Sequence, residues 1–268
     1  MLKILKHEWL ETWRLLLGAV GATVAIVAVG VLGHWVQVPA LSGFFYLAGI
    51  FVPVILVTAV FAYLIWRYYT TMFGRRGYLT HVLPVSGARI YWAKILYITA
   101  WMLVVLGVAI ASWLVFFRVS LSQDMWASLK QEFIASFGSL HKGVLIGIIV
   151  VAVLMSFGQS ILYWTTGLTL GNAPQLSRFG HYAGMVISLV ALYVIGQVVA
   201  VVGLFAVPVS LRIEVPIGLE FGYRFLQFVN ERGAVPLVPF GFIVTELLFY
   251  AVMIAVSLRV ATRHISLR

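Results

Sequence analysis

The chain has 268 residues, of which 63% are hydrophobic and only 10% are charged. A typical soluble domain is roughly 45–50% apolar and about 25% charged, so this chain has too little polar surface for a water-soluble globule. The composition therefore excludes the soluble classes and predicts an integral membrane protein. The formal net charge of +10 then bears first on orientation in the membrane, and we expect no nucleic-acid partner. The absence of cysteine excludes disulfides, thiolate catalysis and cysteine metal ligands.

Six apolar runs are long enough to cross roughly 30 Å of hydrocarbon as helices. They lack the alternation of barrel strands, so they predict an all-α integral membrane protein with a single transmembrane domain over residues 1–268. The first run is too long and too acidic at its start for a signal peptide, and we expect it to be retained. The predicted spans are residues 15–36, 44–66, 95–117, 143–166, 183–209 and 240–258.

The residues before the first span have the pattern of an amphipathic helix. Apolar side chains recur at spacings of three and four residues, with charged residues elsewhere around the helix. This pattern predicts an interfacial helix at residues 1–14, with Trp9 and Trp13 at headgroup depth. The alternative is that the first spanning helix simply begins early, with a polar overhang.

The distribution of Lys and Arg predicts the orientation. With the N-terminus inside, twelve of the 18 Lys and Arg residues fall on the cytoplasmic side and six on the other. Cytoplasmic loops are enriched in Lys and Arg, so we expect a multi-pass protein of the plasma membrane with both termini cytoplasmic. The outer segment at residues 210–239 is too apolar for a solvated loop and is predicted to be either re-entrant, as short broken helices, or a surface amphipathic hairpin.

Little in the sequence points to catalysis. It has no H-E-x-x-H motif, no G-x-S-x-G motif and no nucleotide-binding P-loop, so we expect no catalytic residue, no metal site and no enzyme activity in this chain. Three polar residues are candidates inside the predicted spans. Glu246 is the only acidic one, and a carboxyl in hydrocarbon is a functional candidate because it is costly to bury. Gln159 and Gln197 are more readily explained as hydrogen-bonding partners between helices.

The cytoplasmic loop at residues 67–94 has the most local information. Gly74 and Gly77 predict a turn around two arginines. The next residues can form a short helix that must end before Pro84, because a residue before proline is pushed out of the helical region. Ser86 is predicted to cap the third spanning helix with its side-chain oxygen. A rigid basic loop of this kind could also simply bind anionic lipid headgroups.

This loop resembles the first cytoplasmic loop of ABC transporter permeases of the type-2 exporter class. The resemblance lies in the run Met72-Phe-Gly-Arg-Arg-Gly-Tyr-Leu-Thr-His-Val-Leu-Pro-Val-Ser86, followed by Lys94, and the opening Met-Leu-Lys-Ile-Leu-Lys-His-Glu-Trp is also similar. The layout of the whole chain agrees with it. One departure is that members of the class commonly carry an acidic residue between the two glycines, where this chain has Arg75 and Arg76.

The resemblance implies a membrane subunit that pairs with itself or a similar permease and binds separate ATP-hydrolysing subunits, which hold the ATP and Mg. Residues 78–83 would be a coupling helix that docks on the ATPase. The nearly uncharged spans then favour an amphiphilic or apolar substrate, such as a peptide antibiotic, a lipid-like molecule or a drug. The predicted coupling residues are Gly74, Arg75, Arg76, Gly77, Tyr78, Leu79, Val82, Leu83 and Pro84.

Two alternatives remain at this stage. The first is a non-transporting assembly or sensor protein that recruits a cytoplasmic partner through the basic loop. The second is an intramembrane enzyme that acts through Glu246. The first alternative predicts no ATP-dependent flux. The second predicts that Glu246→Gln abolishes activity while expression and assembly persist.

Overall fold

The computed structural model describes residues 2–36, 42–74, 77, 85–137, 142–205, 209–212, 218–221 and 237–263. These residues form eight helices and three short strands, which we number in chain order. The helices are α1 (Leu2–Val36), α2 (Ser42–Met72), α3 (Gly87–Ser120), α4 (Gln123–Phe137), α5 (Lys142–Gly171), α6 (Pro174–Ser177), α7 (His181–Phe205) and α8 (Phe240–Arg263). The strands are β1 (Val209–Arg212), β2 (Gly218–Phe221) and β3 (Leu237–Pro239).

Six of these helices are long and apolar enough to cross a membrane, namely α1, α2, α3, α5, α7 and α8. Each contains an 18-residue window with a mean hydropathy between 2.1 and 2.6. The predicted helical, multi-pass membrane protein is therefore confirmed at this level. Most of the helices extend beyond the predicted spans, because the rule of about 20 apolar residues locates the hydrocarbon-crossing part and not the polar turns that continue the helix.

The chain divides into two compact units, one built from Met1–Glu132 and the other from Phe133–Ser266. In the first unit α1, α2 and α3 pack against one another, and each touches the other two. In the second unit α5, α7 and α8 make a similar set of mutual contacts, and α8 also touches β1.

The first helix differs from the predicted division into an interfacial helix and a span. It is one continuous helix over Leu2–Val36, which corresponds to the alternative of an early start. The physical reason is that its first turns pack on other helices: Glu8 and Thr12 are buried, and Trp9 stacks on Trp101 of α3 with ring centroids 5.1 Å apart. Placement of this end at the membrane surface stays a prediction.

Close approach of helices in the first unit depends on a glycine near a proline. Pro53 lies inside α2, and Trp113 of α3 donates a hydrogen bond from Nε1 to the carbonyl oxygen of Ile50 at 3.0 Å. Gly49, one turn before the proline, faces Phe116 so closely that a Cβ atom there would lie 2.2 Å from the ring. Proline removes a backbone donor, and neighbouring helices can satisfy the carbonyls around it. Here α3 supplies both the donor and the packing surface.

Helix α4 was not among the predicted elements, because residues 118–142 read as a charged outer loop. The structure gives it a conventional start: Ser122 Oγ accepts a hydrogen bond from the Met125 N–H at 3.3 Å, and Asp124 lies in the first turn. Trp126 Nε1 donates a hydrogen bond to the carbonyl oxygen of Phe117 at 3.2 Å, which links α4 to α3. A serine three residues before an apolar periodic run is the sequence signal that could have identified it.

In the second unit, α5 and α7 approach closely at small residues. Ser188 of α7 donates from Oγ to the carbonyl oxygen of Gly167 at 2.6 Å. A Cβ atom at Gly184 would lie 2.7 Å from the carbonyl oxygen of Gly171. Small residues let spanning helices approach until their backbones touch. Gly184 thus has a packing role, whereas a Cβ atom at Gly147 of α5 would meet nothing within 4 Å.

In the predicted outer segment at residues 210–239, the described residues do not form the broken helices that the re-entrant prediction requires. Its described stretches are strands, in a three-stranded antiparallel sheet of order β2–β1–β3. Leu211 pairs with Leu219 of β2 and with Val238 of β3. Residues 213–217 and 222–236 lie outside the described part of the chain. Lipid-exposed sheet edges do not occur within hydrocarbon, so the strands favour the hairpin alternative, outside the hydrocarbon layer.

Candidate functional site: a buried charge cluster beside the predicted coupling loop

Only the two ends of the predicted coupling loop are described. The N–H of Gly77 donates to the carbonyl oxygen of Gly74 at 2.7 Å, a hydrogen bond that fits the predicted turn. A Cβ atom at Gly74 would lie 2.8 Å from the Thr70 carbonyl oxygen, which explains glycine at this position. The residues between and after the two glycines, Arg75, Arg76 and 78–84, including the predicted coupling helix, lie outside the described residues.

The start of α3 corrects one detail of the prediction. Ser86 is the residue before the helix, as expected, but its side chain makes no capping hydrogen bond. Its carbonyl oxygen instead accepts the N–H groups of Arg89 at 2.9 Å and Ile90 at 3.2 Å. The backbone therefore begins the helix without the side-chain oxygen. Ile90, Ala93 and Tyr97 are buried and form an apolar face that continues into the span.

Four charged side chains meet where α1, α2 and α3 pack together, and we call them the charge cluster: Glu8, Glu11, Arg67 and Lys94. Arg67 donates from Nε to Glu8 Oε2 at 2.8 Å, and Lys94 donates from Nζ to Glu8 Oε1 at 2.8 Å. A second nitrogen of Arg67 donates to Glu11. One carboxylate of α1 thus binds a cation from each of the other two helices.

Hydroxyl groups surround the charge cluster and complete its hydrogen bonds. Lys94 Nζ donates to Thr71 Oγ1 of α2 at 2.5 Å, and that hydroxyl donates to the Arg67 carbonyl oxygen at 2.7 Å. On the other side, Thr12 Oγ1 donates to the Glu8 carbonyl oxygen at 2.8 Å and shares a hydrogen bond with the Tyr97 hydroxyl. The three helices are therefore joined by a connected polar network.

The charge cluster is buried and electrically balanced. Lys94 is 4% exposed, Glu8 8% and Arg67 9%, whereas the Glu11 side chain is 39% exposed and forms the outer edge. Two carboxylates face two cations, so the formal charge sums to zero. Buried ions are tolerated when they are paired and their remaining donors and acceptors are satisfied. A small crevice with room for about one water molecule adjoins the cluster, between Glu8, Thr71 and Tyr97.

Sequence reasoning missed the charge cluster. It counted Arg67 and Lys94 as exposed loop cations, and it regarded Glu246 as the only acid within a span. The structure shows instead that Arg67 and Lys94 are buried inside helices α2 and α3, which leaves fewer free cations in the loop than the sequence predicts. The available signal was the position of Lys94, four residues after Ile90 and three before Tyr97, on the apolar face of the third span.

The charge cluster lies close to both ends of the predicted coupling loop. Helix α2 ends at Met72, five residues after Arg67, and α3 begins at Gly87, seven residues before Lys94. The cluster therefore joins the two helices within about two turns of the points where the loop leaves and returns. A force applied to this loop reaches two helices that are bonded to each other and to α1.

The predicted polar residues of the spans belong to the second unit, whereas the charge cluster belongs to the first. Glu246 of α8 is 2% exposed, and its Oε2 has no hydrogen-bond partner among the described residues. Gln159 of α5 is half-buried and hydrogen bonds to Tyr163 on the same helix. Gln197 of α7 is exposed, so its described position does not support the expected role between helices.

No set of three His, Cys, Asp or Glu side chains comes together as potential metal ligands in the part of the chain that the structure describes. Comparison with known proteins finds no matching family model, no matching curated protein and no matching solved structure.

Proposed function

We propose that the chain is the transmembrane permease subunit of an ATP-driven exporter of the ABC type, with ATP hydrolysis by separate subunits. The proposal rests on the resemblance of residues 72–86 to the first cytoplasmic loop of such permeases. The six helices long enough to span a membrane are compatible with it. In this proposal the ATPase subunits hold ATP and Mg, and a second permease subunit, identical or similar, completes the transporter in the plasma membrane.

The observation that carries the proposal furthest is the charge cluster. In an exporter of this kind the ATPase closes on nucleotide and pushes the coupling helix at residues 78–83. The bonds of Glu8 to Arg67 and Lys94, and of Lys94 to Thr71, join α1, α2 and α3 near this loop. The push then moves the three helices together instead of bending one of them. A sensor or assembly protein needs a binding loop but has no comparable need for a rigid connection to three spans.

The chemistry of the spans supports the proposed cargo. In the described spanning helices of the first unit, the buried charged side chains are Glu8, Arg67 and Lys94, and they are paired at one end of the bundle. Such pairs leave no fixed charge for a small hydrated ion along most of the span length. An amphiphilic or apolar molecule, moved out of the cytoplasm, requires no such charge.

ATP-driven transport gives the test. Inverted membrane vesicles that contain the chain and its natural partners are expected to accumulate a lipophilic fluorescent substrate when ATP is added. Leu83→Asp is expected to lower this flux at least about tenfold, because a charge on the apolar face of the coupling helix weakens docking by about 1.4 kcal/mol or more. The measurement is the initial rate of fluorescence change, normalised to the amount of chain in the vesicles.

Two controls make the result specific. Glu132→Gln changes an exposed charge on α4, far along the chain from the loop, and is expected to leave the flux unchanged. Equal flux from the wild type and Leu83→Asp would contradict coupling through this loop. No ATP-dependent flux from the wild type, with the partner ATPase present, would favour the non-transporting alternative.

A further inference from the structure

The carboxyl group of Glu246 is the buried polar group for which the proposed coupling mechanism has no use. It lies six residues after the start of α8, about 9 Å along the helix from Phe240. Only 2% of the residue is exposed, and Oε2 has no hydrogen-bond partner among the described residues. A carboxyl in hydrocarbon is costly unless a cation or donor compensates it, and residues of this kind are usually functional.

The helices around Glu246 carry no cation at its level. In α8 the next Lys or Arg along the chain is Arg259, thirteen residues and about 20 Å away. Helix α5 has a Lys only at its first residue, and α7 has neither Lys nor Arg. This contrasts with Glu8 in the other unit, where two cations bind one carboxylate. The described helices α5, α7 and α8 therefore place no Lys or Arg at the level of Glu246 along the helix axis.

The neighbours of Glu246 are aromatic and neutral. Tyr250 lies one turn further along α8 and hydrogen bonds to the carboxyl, whose Oε2 is left without a partner. Tyr163 of α5 packs on Phe249 with ring centroids 5.9 Å apart, and it hydrogen bonds to Gln159. A carboxylate beside aromatic rings suits an ammonium group, which binds the carboxylate by charge and the ring faces by cation–π attraction. A hydrated inorganic ion gains less from such rings.

Exposed apolar side chains border this group of residues. Tyr193 of α7, which lies near Tyr163, is 61% exposed. Leu247 and Leu248, the two residues after Glu246, are 52% and 61% exposed. Exposed apolar side chains on a spanning helix face hydrocarbon. An alkyl chain in the bilayer can therefore lie along this face. Because Glu246 is only 2% exposed, the polar end reaches the carboxyl after neighbouring side chains move aside.

We propose that Glu246 binds the ammonium group of a lipophilic amine that enters from the membrane, with Tyr163, Tyr250 and Gln159 as the surrounding contacts. Assignment of this amine as the exported cargo rests on the proposed function, and it narrows the amphiphilic substrate class to cationic amphiphiles. Binding itself requires neither ATP nor an ATPase subunit.

Competition for chemical labelling tests the proposal directly. The purified full chain in phosphatidylcholine nanodiscs is treated with dicyclohexylcarbodiimide, which reaches carboxyl groups from the lipid phase, and modification of Glu246 is followed by peptide mass spectrometry. Dodecylammonium is expected to slow labelling about tenfold at about ten times its Kd, as mass action requires. Dodecanol, with the same alkyl chain and no charge, and sodium chloride are expected to have no effect.

Other outcomes would overturn the inference. Equal protection by dodecanol would mean that the alkyl chain alone blocks access, and equal protection by sodium would mean a small-cation site. Failure of Glu246 to label in the absence of amine would mean that its carboxyl is already occupied within the protein.

A second measurement does not depend on labelling. Dodecylammonium, relative to dodecanol, is expected to raise the unfolding temperature of the wild type, and Glu246→Gln is expected to lose this shift because glutamine keeps the shape without the charge. The Glu132→Gln variant serves as the matched control and should keep the shift. An equal shift in Glu246→Gln and the wild type would overturn the inference. If the amine fails in both experiments while the chain still recruits an ATPase, the cargo class is wrong and the proposed function stands.

Discussion

Replacement of Glu8 by glutamine is expected to lower the free energy of unfolding by about 3–5 kcal/mol. Glu8 is the carboxylate that binds both Arg67 and Lys94, and its loss leaves Lys94, which is only 4% exposed, without a counter-charge. Breaking a buried ion pair from one side is far more costly than deleting a surface pair, because the remaining charge stays desolvated. The measurement is urea-induced unfolding in mild detergent, followed by tryptophan fluorescence.

Glu11→Gln is the matched control for this prediction, because it removes a carboxylate from the same helix and the same charge cluster. The Glu11 side chain is 39% exposed and binds only Arg67 among the buried cations, so we expect a loss of about 1 kcal/mol or less. The double variant Glu8→Gln with Lys94→Met removes both charges of one pair. It is expected to be less destabilised than the sum of the single variants. A loss below about 1 kcal/mol for Glu8→Gln would contradict the buried cluster.

Substitution of Gly184 by alanine is the second change that we expect to lower the free energy of unfolding substantially. A Cβ atom there would lie 2.7 Å from the Gly171 carbonyl oxygen and 2.9 Å from that of Leu176. Both are backbone atoms, so no side-chain rotation can relieve the contact, and α5 and α7 must move apart. We expect destabilisation by about 1–3 kcal/mol. The same unfolding assay measures it.

A second glycine-to-alanine change supplies the control with the opposite sign. A Cβ at Gly158 of α5 would meet nothing within 4 Å, and alanine is the better helix former by about 1 kcal/mol. Gly158→Ala is therefore expected to leave stability unchanged or to raise it. If both variants lose stability equally, the α5–α7 contact has no special role at Gly184.

The spanning helices could be predicted from the sequence because the bilayer reduces the problem to length and polarity. An apolar run of about 20 residues has few alternatives to a helix, and five of the six predicted runs lie within long helices. The predicted run at residues 183–209 extends too far, because α7 ends at Phe205 and Val209 already belongs to β1. Their ends could not be predicted equally well. The first helix begins at Leu2 because Glu8 and Thr12 are bonded to residues far along the chain, and an amphipathic pattern does not reveal such partners.

The charge cluster shows why the site was harder to predict than the fold. Rules that use one sequence alone treat a lysine at the start of a span as a signal of orientation in the membrane. Whether Lys94 faces the cytoplasm or the neighbouring helices depends on where Glu8 comes to lie, 86 residues earlier in the chain. The three-stranded sheet was not predicted for a similar reason: β3 pairs with β1 across more than twenty residues, and no local pattern indicates that register.

The central claim, that this chain is a permease driven by an ATPase in trans, is tested most directly by its partners. The full chain, tagged and solubilised from its natural membrane in mild detergent, is purified, and the co-purifying proteins are identified by mass spectrometry. We expect a stoichiometric subunit with a P-loop in the wild-type sample, its near-complete loss in Leu83→Asp, and its retention in Glu132→Gln. Recovery of the folded chain without any ATPase subunit would contradict the proposed function.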